Sequence, residues 1–358
     1  MRPAVAEISL AALRHNLVQA RRLADGAEVT AVIKANGYGH GAVRILPALA
    51  DAPRLAVAAI EEAIVLREAG ARQPIVLLEG VFEESELNLC ADHDFVIVVH
   101  EPGQVAMLER ARLRRPLAVA LKLDSGMGRL GFRPSDYAGA YQRLRACDQV
   151  SAIELMSHLA SADDLSSGDT EEQLEVSERA FAGLPGRRSI ANSAGLIGWS
   201  AAHGDIVRPG IMLYGVTPMD GRTGIGDGLQ PVMTLRTALI AVKTVRPGDR
   251  VGYAGTWEAV SYHRIGIAAI GYGDGYPRHA GTGTPVLVDG RRSRIVGRVS
   301  MDMIAIDLDG FGDEVRVGTP VTLWGEGLPV EEVADAAGTI GYELLCGVTA
   351  RVRFCTLA

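Results

Sequence analysis

The stretch VTAVIKA, residues 29–35, is the first of eight short apolar runs in the first 215 residues. Runs of this length, rich in β-branched residues, predict buried strands. Amphipathic segments such as 60–69 and 103–113 lie between them and predict helices. The predicted strands cover residues 29–35, 54–59, 74–79, 95–100, 117–124, 150–158, 188–192 and 206–214.

Strands that alternate with helices over about two hundred residues indicate a TIM-like (β/α)8 barrel. A doubly wound open sheet is the competing fold, but no GxGxxG motif follows the first run. Beyond about residue 230 alternating β runs dominate, and Asp289-Gly290 predicts a hairpin turn between two of them. These later runs cover residues 234–245, 264–271, 285–289, 294–308 and 319–324. We therefore predict an α/β barrel domain over residues 1–228 and a mostly-β C-terminal domain over residues 229–358.

Composition limits the classes of partner. The chain has 358 residues, is 48% hydrophobic and carries a formal net charge of -7. Phosphate backbones and acidic lipids do not attract an acidic surface, so neither nucleic acid nor a membrane is the expected partner. The start of the chain lacks the apolar run of a signal peptide or a membrane span, which predicts a cytoplasmic protein with a small-molecule ligand. The four cysteines include no CxxC pair, and no metal site is predicted.

Lysine usage is sharply restricted. Only Lys34, Lys122 and Lys243 are lysines among 36 basic residues. An amine can lose its proton and attack a carbonyl carbon, which a guanidinium does not do. Lys34 and Lys122 lie towards the C-terminal ends of predicted barrel strands, where the active sites of this fold are found. Both are therefore candidates for covalent chemistry.

Other polar residues collect on the same predicted rim. They are Arg129, His158, Asn192, Ser193 and Arg208. A rim of this basic character suits an anionic ligand. The glycine-rich segment 36–42 (NGYGHGA) follows Lys34 and is typical of a tight turn. Ser193 and the turn 208–211 (RPGI) offer a hydroxyl and backbone N–H groups to a phosphate. A phosphorylated cofactor beside a strand-end lysine points to pyridoxal phosphate.

Eight strings along the chain resemble the alanine racemase family, in the family's order and across both predicted domains. They are AVIKANGYGHGA (31–42), LKLDSGMGRLGF (121–132), MSHLASAD (156–163), ANSAG (191–195), RPGIMLYG (208–215), VGYAGTW (251–257), IGYGDGYPR (270–278) and VGRVSMD (296–302). The resemblance implies a homodimeric, pyridoxal phosphate-dependent isomerase. It would interconvert L- and D-alanine, either for D-alanine biosynthesis and cell-wall peptidoglycan or for catabolism.

The resemblance also implies roles for single residues. Lys34 and Tyr253 are the two catalytic bases, and Tyr253 comes from the other subunit. The implied cofactor contacts are Lys34, Tyr38, His158, Asn192, Ser193, Arg208, Gly210 and Ile211. Arg129, Met301 and Asp302 are implied substrate contacts, whereas Asp163, Tyr272, Arg278 and Arg298 line an implied access corridor. Lys122 falls where several relatives carry a carbamylated lysine that steadies the arginine matched by Arg129.

Several alternatives stay open from the residues alone. A basic-amino-acid decarboxylase also joins a pyridoxal phosphate barrel to a β domain, but no catalytic cysteine motif surrounds Cys346. A non-catalytic carrier of the cofactor is typically a bare barrel, without a second domain. A racemase of serine or another amino acid differs from an alanine racemase by only a few side chains. Ala350 stands where some relatives carry a phosphate-contacting tyrosine, which predicts weaker cofactor retention and more tolerance of serine.

Overall fold

The computed structural model describes residues 2–357, so residues 1 and 358 of the two predicted domains lie outside the described residues. The chain begins with strand β1 (Val5–Ser9) and helix α1 (Leu10–Leu23). Ser9 caps this helix, since its Oγ accepts a hydrogen bond from the Ala12 amide at 3.1 Å. This bond satisfies one of the free N–H groups at the helix start.

Eight parallel strands form a closed barrel in chain order, which confirms the predicted (β/α)8 architecture. They are β2 (Glu28–Val32), β3 (Arg54–Val57), β4 (Ile75–Leu77), β5 (Phe95–Val99), β6 (Leu117–Lys122), β7 (Val150–Met156), β8 (Arg188–Ser189) and β9 (Ile206–Val207). The last two strands are much shorter than the predicted runs 188–192 and 206–214. The chain leaves the sheet there to build a helix from Ser193 and a 3₁₀ turn over Ile211–Tyr214.

Helical segments connect the strands of the barrel, and the first of them is largely left-handed. They are α2 (Lys34–Tyr38), α3 (Ala42–Ile45), α4 (Ile60–Glu68), α5 (Glu86–His93), α6 (Pro102–Arg110), α7 (Pro134–Arg145), α8 (Asp169–Phe181) and α9 (Ser193–Gly198). The predicted helical segments 60–69 and 103–113 correspond to α4 and α6. No helix within residues 2–357 combines the length and the apolar character that crossing a membrane requires.

The C-terminal part is a mostly-β unit, as predicted. Its elements are β10 (Met233–Val245), β11 (Arg250–Val251), β12 (Trp257–Glu258), β13 (His263–Ala268), β14 (Pro285–Val288), β15 (Arg291–Arg294), β16 (Ile304–Asp307), β17 (Pro320–Trp324), α10 (Val330–Ala337), α11 (Gly341–Gly347) and β18 (Arg353–Leu357). Strand β1 lies in this sheet, antiparallel to β10 and parallel to β18. The division of the chain at residues 228 and 229 stays a prediction.

Two local expectations in this unit have different outcomes. Asp289 and Gly290 join β14 to β15 with positive φ angles of 49° and 75°, which confirms the predicted hairpin turn. The single strand predicted over residues 294–308 is wrong, because β15 ends at Arg294 and β16 begins at Ile304. Gly297, with φ of 77°, breaks the run where the chain passes the Val251 carbonyl, 2.8 Å from where a Cβ atom would lie.

Two hydrophobic clusters hold the molecule together. The large one is continuous from the barrel into the C-terminal sheet, so the two parts share a core. The second, which we call the small core, supports the β11–β12 ribbon and is built from Val245, Val251, Ala259, Ile265, Val296 and Ala305.

Candidate active site

A cavity of about 500 Å³ opens at the C-terminal ends of the barrel strands. Ten of the residues predicted as site residues line it: Lys34, Tyr38, Lys122, Arg129, His158, Asn192, Ser193, Arg208, Gly210 and Ile211. They come from segments that are far apart in the sequence. The barrel brings them together because the C-terminal ends of its parallel strands share one rim.

The segment after the first barrel strand has an unusual backbone. β2 ends at Val32, and the chain then makes a left-handed turn in which Ala35, Asn36 and Gly37 have φ angles of 52°, 53° and 65°. The predicted strand 29–35 therefore ends earlier than expected, and Lys34 begins this turn. Left-handed backbone costs L-residues roughly 1–2 kcal/mol each. Strain of this kind is found at functional sites, where the surrounding structure maintains it.

Hydrogen bonds and close packing maintain the left-handed turn. The buried His40 donates from Nδ1 to the Tyr38 carbonyl at 2.8 Å, and burial lowers the pKa of His40 to about 4. The Asn36 side-chain oxygen accepts from the Ala42 amide at 2.9 Å. At Gly39, φ is 79° and a Cβ atom would lie 2.1 Å from the Leu345 carbonyl of α11. The second domain thus presses directly on the turn, and only glycine fits there.

Hydroxyl and N–H groups meet on one side of the cavity. The Ser193 Oγ accepts from the Gly210 amide at 2.8 Å and from the Met212 amide at 3.4 Å. A Cβ atom at position 210 would lie 2.5 Å from the Tyr38 hydroxyl, so the missing side chain lets that hydroxyl approach the turn. Asn192 fixes Ser193 at the start of α9 by accepting from the Gly195 amide at 2.9 Å. Such a group of N–H and hydroxyl donors suits a phosphate.

Acceptors hold both terminal nitrogens of the Arg208 guanidinium, which also lines the cavity. Its Nη1 donates to the Ser189 hydroxyl at 2.6 Å. Its Nη2 donates to the carbonyls of Ser157 at 2.7 Å and Ile190 at 3.1 Å, and to Nδ1 of His158 at 3.3 Å. Burial lowers the pKa of Arg208 to about 10, so the guanidinium still carries its proton at neutral pH.

His158 is neutral in this environment. Its Nδ1 accepts from Arg208, which leaves the ring proton on Nε2. Burial first, and then the positive charges of Arg208 and Lys122, hold the pKa of His158 well below its usual value. At neutral pH the ring therefore contributes a hydrogen bond and no charge.

Both lysines of the cavity release their protons more easily than usual. Burial and the Arg129 guanidinium lower the pKa of Lys34. Burial and the Arg208 guanidinium lower the pKa of Lys122 to about 8. Desolvation and neighbouring cations both disfavour an ammonium. The cavity therefore holds amines that can act as nucleophiles or accept a proton.

Sequence reasoning missed part of the wall. Glu79 lines the cavity, and so do Tyr342 and Cys346 of α11. Tyr342 and Cys346 are four residues apart and so share one helix face, a spacing visible in the sequence. The ring centroids of Tyr342 and Tyr38 are 6.1 Å apart. Ala350, where the sequence suggested a lost contact, is exposed and does not line the cavity.

A second group of predicted site residues lies away from this cavity: Asp163, Tyr253, Tyr272, Arg278, Arg298, Met301 and Asp302. The side chains of Tyr253 and Met301 are 68% and 51% exposed. Asp302 forms ion pairs with Arg351 and, at 3.5 Å, with Arg2. On one chain Asp163 and Asp302 are half-buried, and the other five residues are exposed. The roles that the resemblance implies for all seven stay predictions.

Comparisons with known proteins agree over both parts of the chain. Family models for the alanine racemase N-terminal and C-terminal domains match residues 8–218 and 232–356. A catabolic alanine racemase of Pseudomonas aeruginosa is 51% identical over 97% of each chain. The crystal structure of a biosynthetic alanine racemase from the same species is 48% identical over the whole of both chains, with a TM-score of 0.97. The structure of the Bartonella henselae alanine racemase, with covalently bound pyridoxal phosphate, is 28% identical over the whole of both chains, with a TM-score of 0.89.

Proposed function

The chain belongs to the alanine racemase family of isomerases, and we propose that it interconverts L- and D-alanine with pyridoxal phosphate and two bases. One base is Lys34, and the other is Tyr253 of a second subunit. The observation that carries this proposal is the single cavity in which Lys34, the donors around Ser193 and the buried Arg208 meet. The proposal includes a homodimer with shared sites.

The cavity residues fit the cofactor by their chemistry. Lys34 would hold it covalently, as a lysine-bound cofactor requires a nucleophilic amine. Tyr38, Ser193 and the N–H groups of Gly210 and Ile211 would bind its phosphate. The Bartonella relative, which holds pyridoxal phosphate covalently, supports this assignment. When bound, pyridoxal phosphate supplies an electron sink that makes the α-proton of an amino acid removable.

Arg208 sets how strong that sink is. It would face the pyridine nitrogen, to which a guanidinium donates a hydrogen bond without giving up its proton. A carboxylate in that place would instead keep the nitrogen protonated. Arg208 therefore limits how much negative charge the ring accepts, which restricts side reactions such as transamination. The neutral His158 orients Arg208 and links it towards the tyrosine base.

Two bases are needed because racemisation removes a proton on one face and returns it on the other. Lys34 suits one face, since burial and Arg129 help it to hold its neutral form. Tyr253 is exposed in a single chain, so the active site of a second copy can lie against it. Tyr253 would then act on the face of the substrate opposite to Lys34. Arg129 would bind the substrate carboxylate, and Met301 and Asp302 would approach from the same partner as Tyr253.

The remaining assignments extend the same proposal. Asp163, Tyr272, Arg278 and Arg298 would line the access corridor between the subunits. The family resemblance supports cytoplasmic residence and supply of D-alanine for cell-wall peptidoglycan. It does not choose between biosynthesis and catabolism, since a catabolic and a biosynthetic enzyme have similar identity to this chain.

The test is to incubate the purified protein with a panel of L-amino acids, with and without added pyridoxal phosphate, and to measure D-enantiomer formation. We expect alanine to react fastest and activity to depend on the cofactor. Borohydride reduction followed by peptide mapping should place the cofactor on Lys34. Lys34→Ala should lose activity by at least about a hundredfold, whereas Lys243→Ala, on the exposed side of β10, should keep it. Label on Lys122 or Lys243 would contradict the assignment.

A further inference from the structure

Tyr253 is carried by a very small structural unit. The ribbon of β11 and β12 has two residue pairs, Arg250 with Glu258 and Val251 with Trp257. Its tip is strained, since Gly252 and Ala254 have φ angles of 75° and 61°. A two-stranded ribbon is at best marginally stable in water without further packing. The position of Tyr253 therefore depends on what holds the base of the ribbon.

The small core provides the first attachment. Val251 of β11 is buried in it together with Ala259, just beyond β12. Trp257 packs against the same cluster and lies opposite Val251 in the ribbon. Apolar packing of this kind restrains the ribbon but is not directional. It does not by itself select one orientation of a large aromatic ring.

The polar pair of His263 and Asp307 restrains the orientation of the Trp257 ring. The ring of Trp257 meets the His263 ring edge-on, with centroids 5.1 Å apart and planes at 64°. Nε2 of His263 lies 2.6 Å from Oδ1 of Asp307, and each side chain is only 11% exposed. Arg294 donates from Nε to the other carboxylate oxygen of Asp307 at 3.0 Å. Contacts thus run without a break from Asp307 through His263 to Trp257 and the ribbon.

The Asp307 carboxylate is firmly ionised. Burial opposes the charge, but hydrogen bonds from the Asp309 amide, His263 and Arg294 hold the pKa of Asp307 below its usual value. A buried ion pair adds little net stability, because desolvation offsets most of the attraction. Its hydrogen bonds do fix the plane of the His263 ring, and edge-to-face aromatic contacts depend on such geometry.

We propose that His263 and Asp307 are positioning residues. They orient Trp257 and thereby hold the Tyr253 turn in the orientation that the second subunit's active site requires. This inference rests on the proposed function, in which Tyr253 is one of the two bases. Neither His263 nor Asp307 lines the barrel cavity, so we expect them to act only through Trp257 and the ribbon.

The test separates the two faces of the reaction. Exchange of the α-hydrogen with deuterium oxide is measured for L-alanine and for D-alanine separately, together with racemisation, on the holoenzyme. Lys34 can remove and return a hydrogen on its own face without Tyr253. Damage to the turn should therefore slow exchange of one enantiomer and leave the other.

We expect Asp307→Asn and Trp257→Leu each to slow exchange of the same single enantiomer by between about tenfold and a hundredfold, as for a small misplacement of a reacting group. Exchange of the other enantiomer should stay within about twofold. The double variant should be no slower than the worse single variant, since both changes break one chain of contacts. Glu258→Gln is the matched control, because it removes an exposed ion pair of the same ribbon, at 3.0 Å from Arg250, and should change neither rate more than about twofold.

Equal loss of both exchange rates would overturn the inference, since a merely destabilised enzyme does not distinguish the two faces. Unchanged rates in both single variants would overturn it as well. If Asp307→Asn does not fold, Trp257→Leu and His263→Gln decide the matter. Tyr253→Phe separates the two levels: if it keeps both exchange rates and racemisation, the proposed function fails. If Tyr253→Phe slows exchange of one enantiomer while Asp307→Asn slows exchange of neither, only the positioning inference fails.

Discussion

At the barrel rim, the residues around Lys34 and Arg208 share one cavity and hydrogen-bond to one another or to the strands beneath them. In the second domain, Tyr253 and Met301 lie on the surface, 68% and 51% exposed. Burial changes the proton affinities of Lys34, Lys122 and His158 at the rim. A surface group has no such surroundings until another molecule covers it.

Under the proposed function, the contrast explains how one chain carries motifs for a site that a second subunit completes. The barrel strands preorganise the groups that the proposed cofactor would contact, in a largely buried place. The Tyr253 turn is held by the small core, by Trp257 and by the two residue pairs of its ribbon. Under the proposed function, a second subunit supplies the missing wall, and dimer formation is then part of catalysis.

The largest effect is expected when the rim defect and the surface defect are placed on different chains. Lys34→Ala and Tyr253→Phe should each be nearly inactive, with losses of at least about a hundredfold. In a mixed dimer, one site combines both defects and the other has neither. Random mixing should restore roughly a quarter of the parental activity. Co-expression followed by an alanine racemisation assay measures the recovery.

A matched mixture supplies the control for that experiment. Lys34→Ala combined with Arg208→Ala places both defects at barrel rims, so each site of the mixed dimer keeps one defect and no recovery is expected. Absence of recovery in the Lys34 and Tyr253 mixture, with mixed dimers confirmed by mass, would mean that both bases belong to one chain.

A smaller effect is expected at Lys122, where burial at the rim would permit a covalent modification. A carbamate forms from the neutral amine, and a pKa of about 8 leaves roughly a tenth of Lys122 neutral at pH 7. The neutral fraction rises as the pH rises through 8. At constant carbon dioxide pressure, ¹³C labelling of the carbamate should therefore increase between pH 6 and 8. Carbon-13 NMR should show this signal in the parent and in Lys243→Gln, but not in Lys122→Gln.

Activity provides an independent measurement of the same modification. Lys122→Ala should lower the racemisation rate about tenfold, because Arg129 would lose the group that holds its side chain in place. A loss of this size is expected for one charge-assisted hydrogen bond. Acetate or chloride should restore part of it by replacing the lost anion. A variant as active as the parent and indifferent to both ions would refute the carbamate.

The smallest effect concerns position 350, which lies outside the cavity while Tyr342 and Cys346 line it. Ala350→Tyr extends a hydroxyl from this exposed position and should tighten retention of pyridoxal phosphate about threefold, the value of a modest hydrogen bond. The ratio of serine to alanine turnover should fall, because the added ring narrows the entrance. Equilibrium dialysis and parallel racemisation assays measure both, with Ala350→Phe as the control without a hydroxyl. No change in either quantity would count against a role for this position.

Some features at the Lys34 turn could not be predicted from the sequence. The run 29–35 predicted a strand through Lys34, yet β2 ends at Val32 and the following residues are left-handed. Neither Ala35 nor Tyr38 favours that conformation by itself. The hydrogen bond from His40 and the contact between Gly39 and Leu345 maintain it. The second of these contacts joins opposite ends of the chain.

The hydrophobic pattern predicted the eight barrel strands, and the family resemblance added to the strand-end residues to predict ten residues of the cavity wall. Hydrophobic runs are local signals, and the ends of parallel strands meet at one rim whatever lies between them. Three arrangements are visible only in the folded chain: β1 joins the second sheet, α11 brings Tyr342 and Cys346 to the cavity, and Asp307 contacts His263, which contacts Trp257. These arrangements depend on packing between distant segments, which no local pattern of residues encodes.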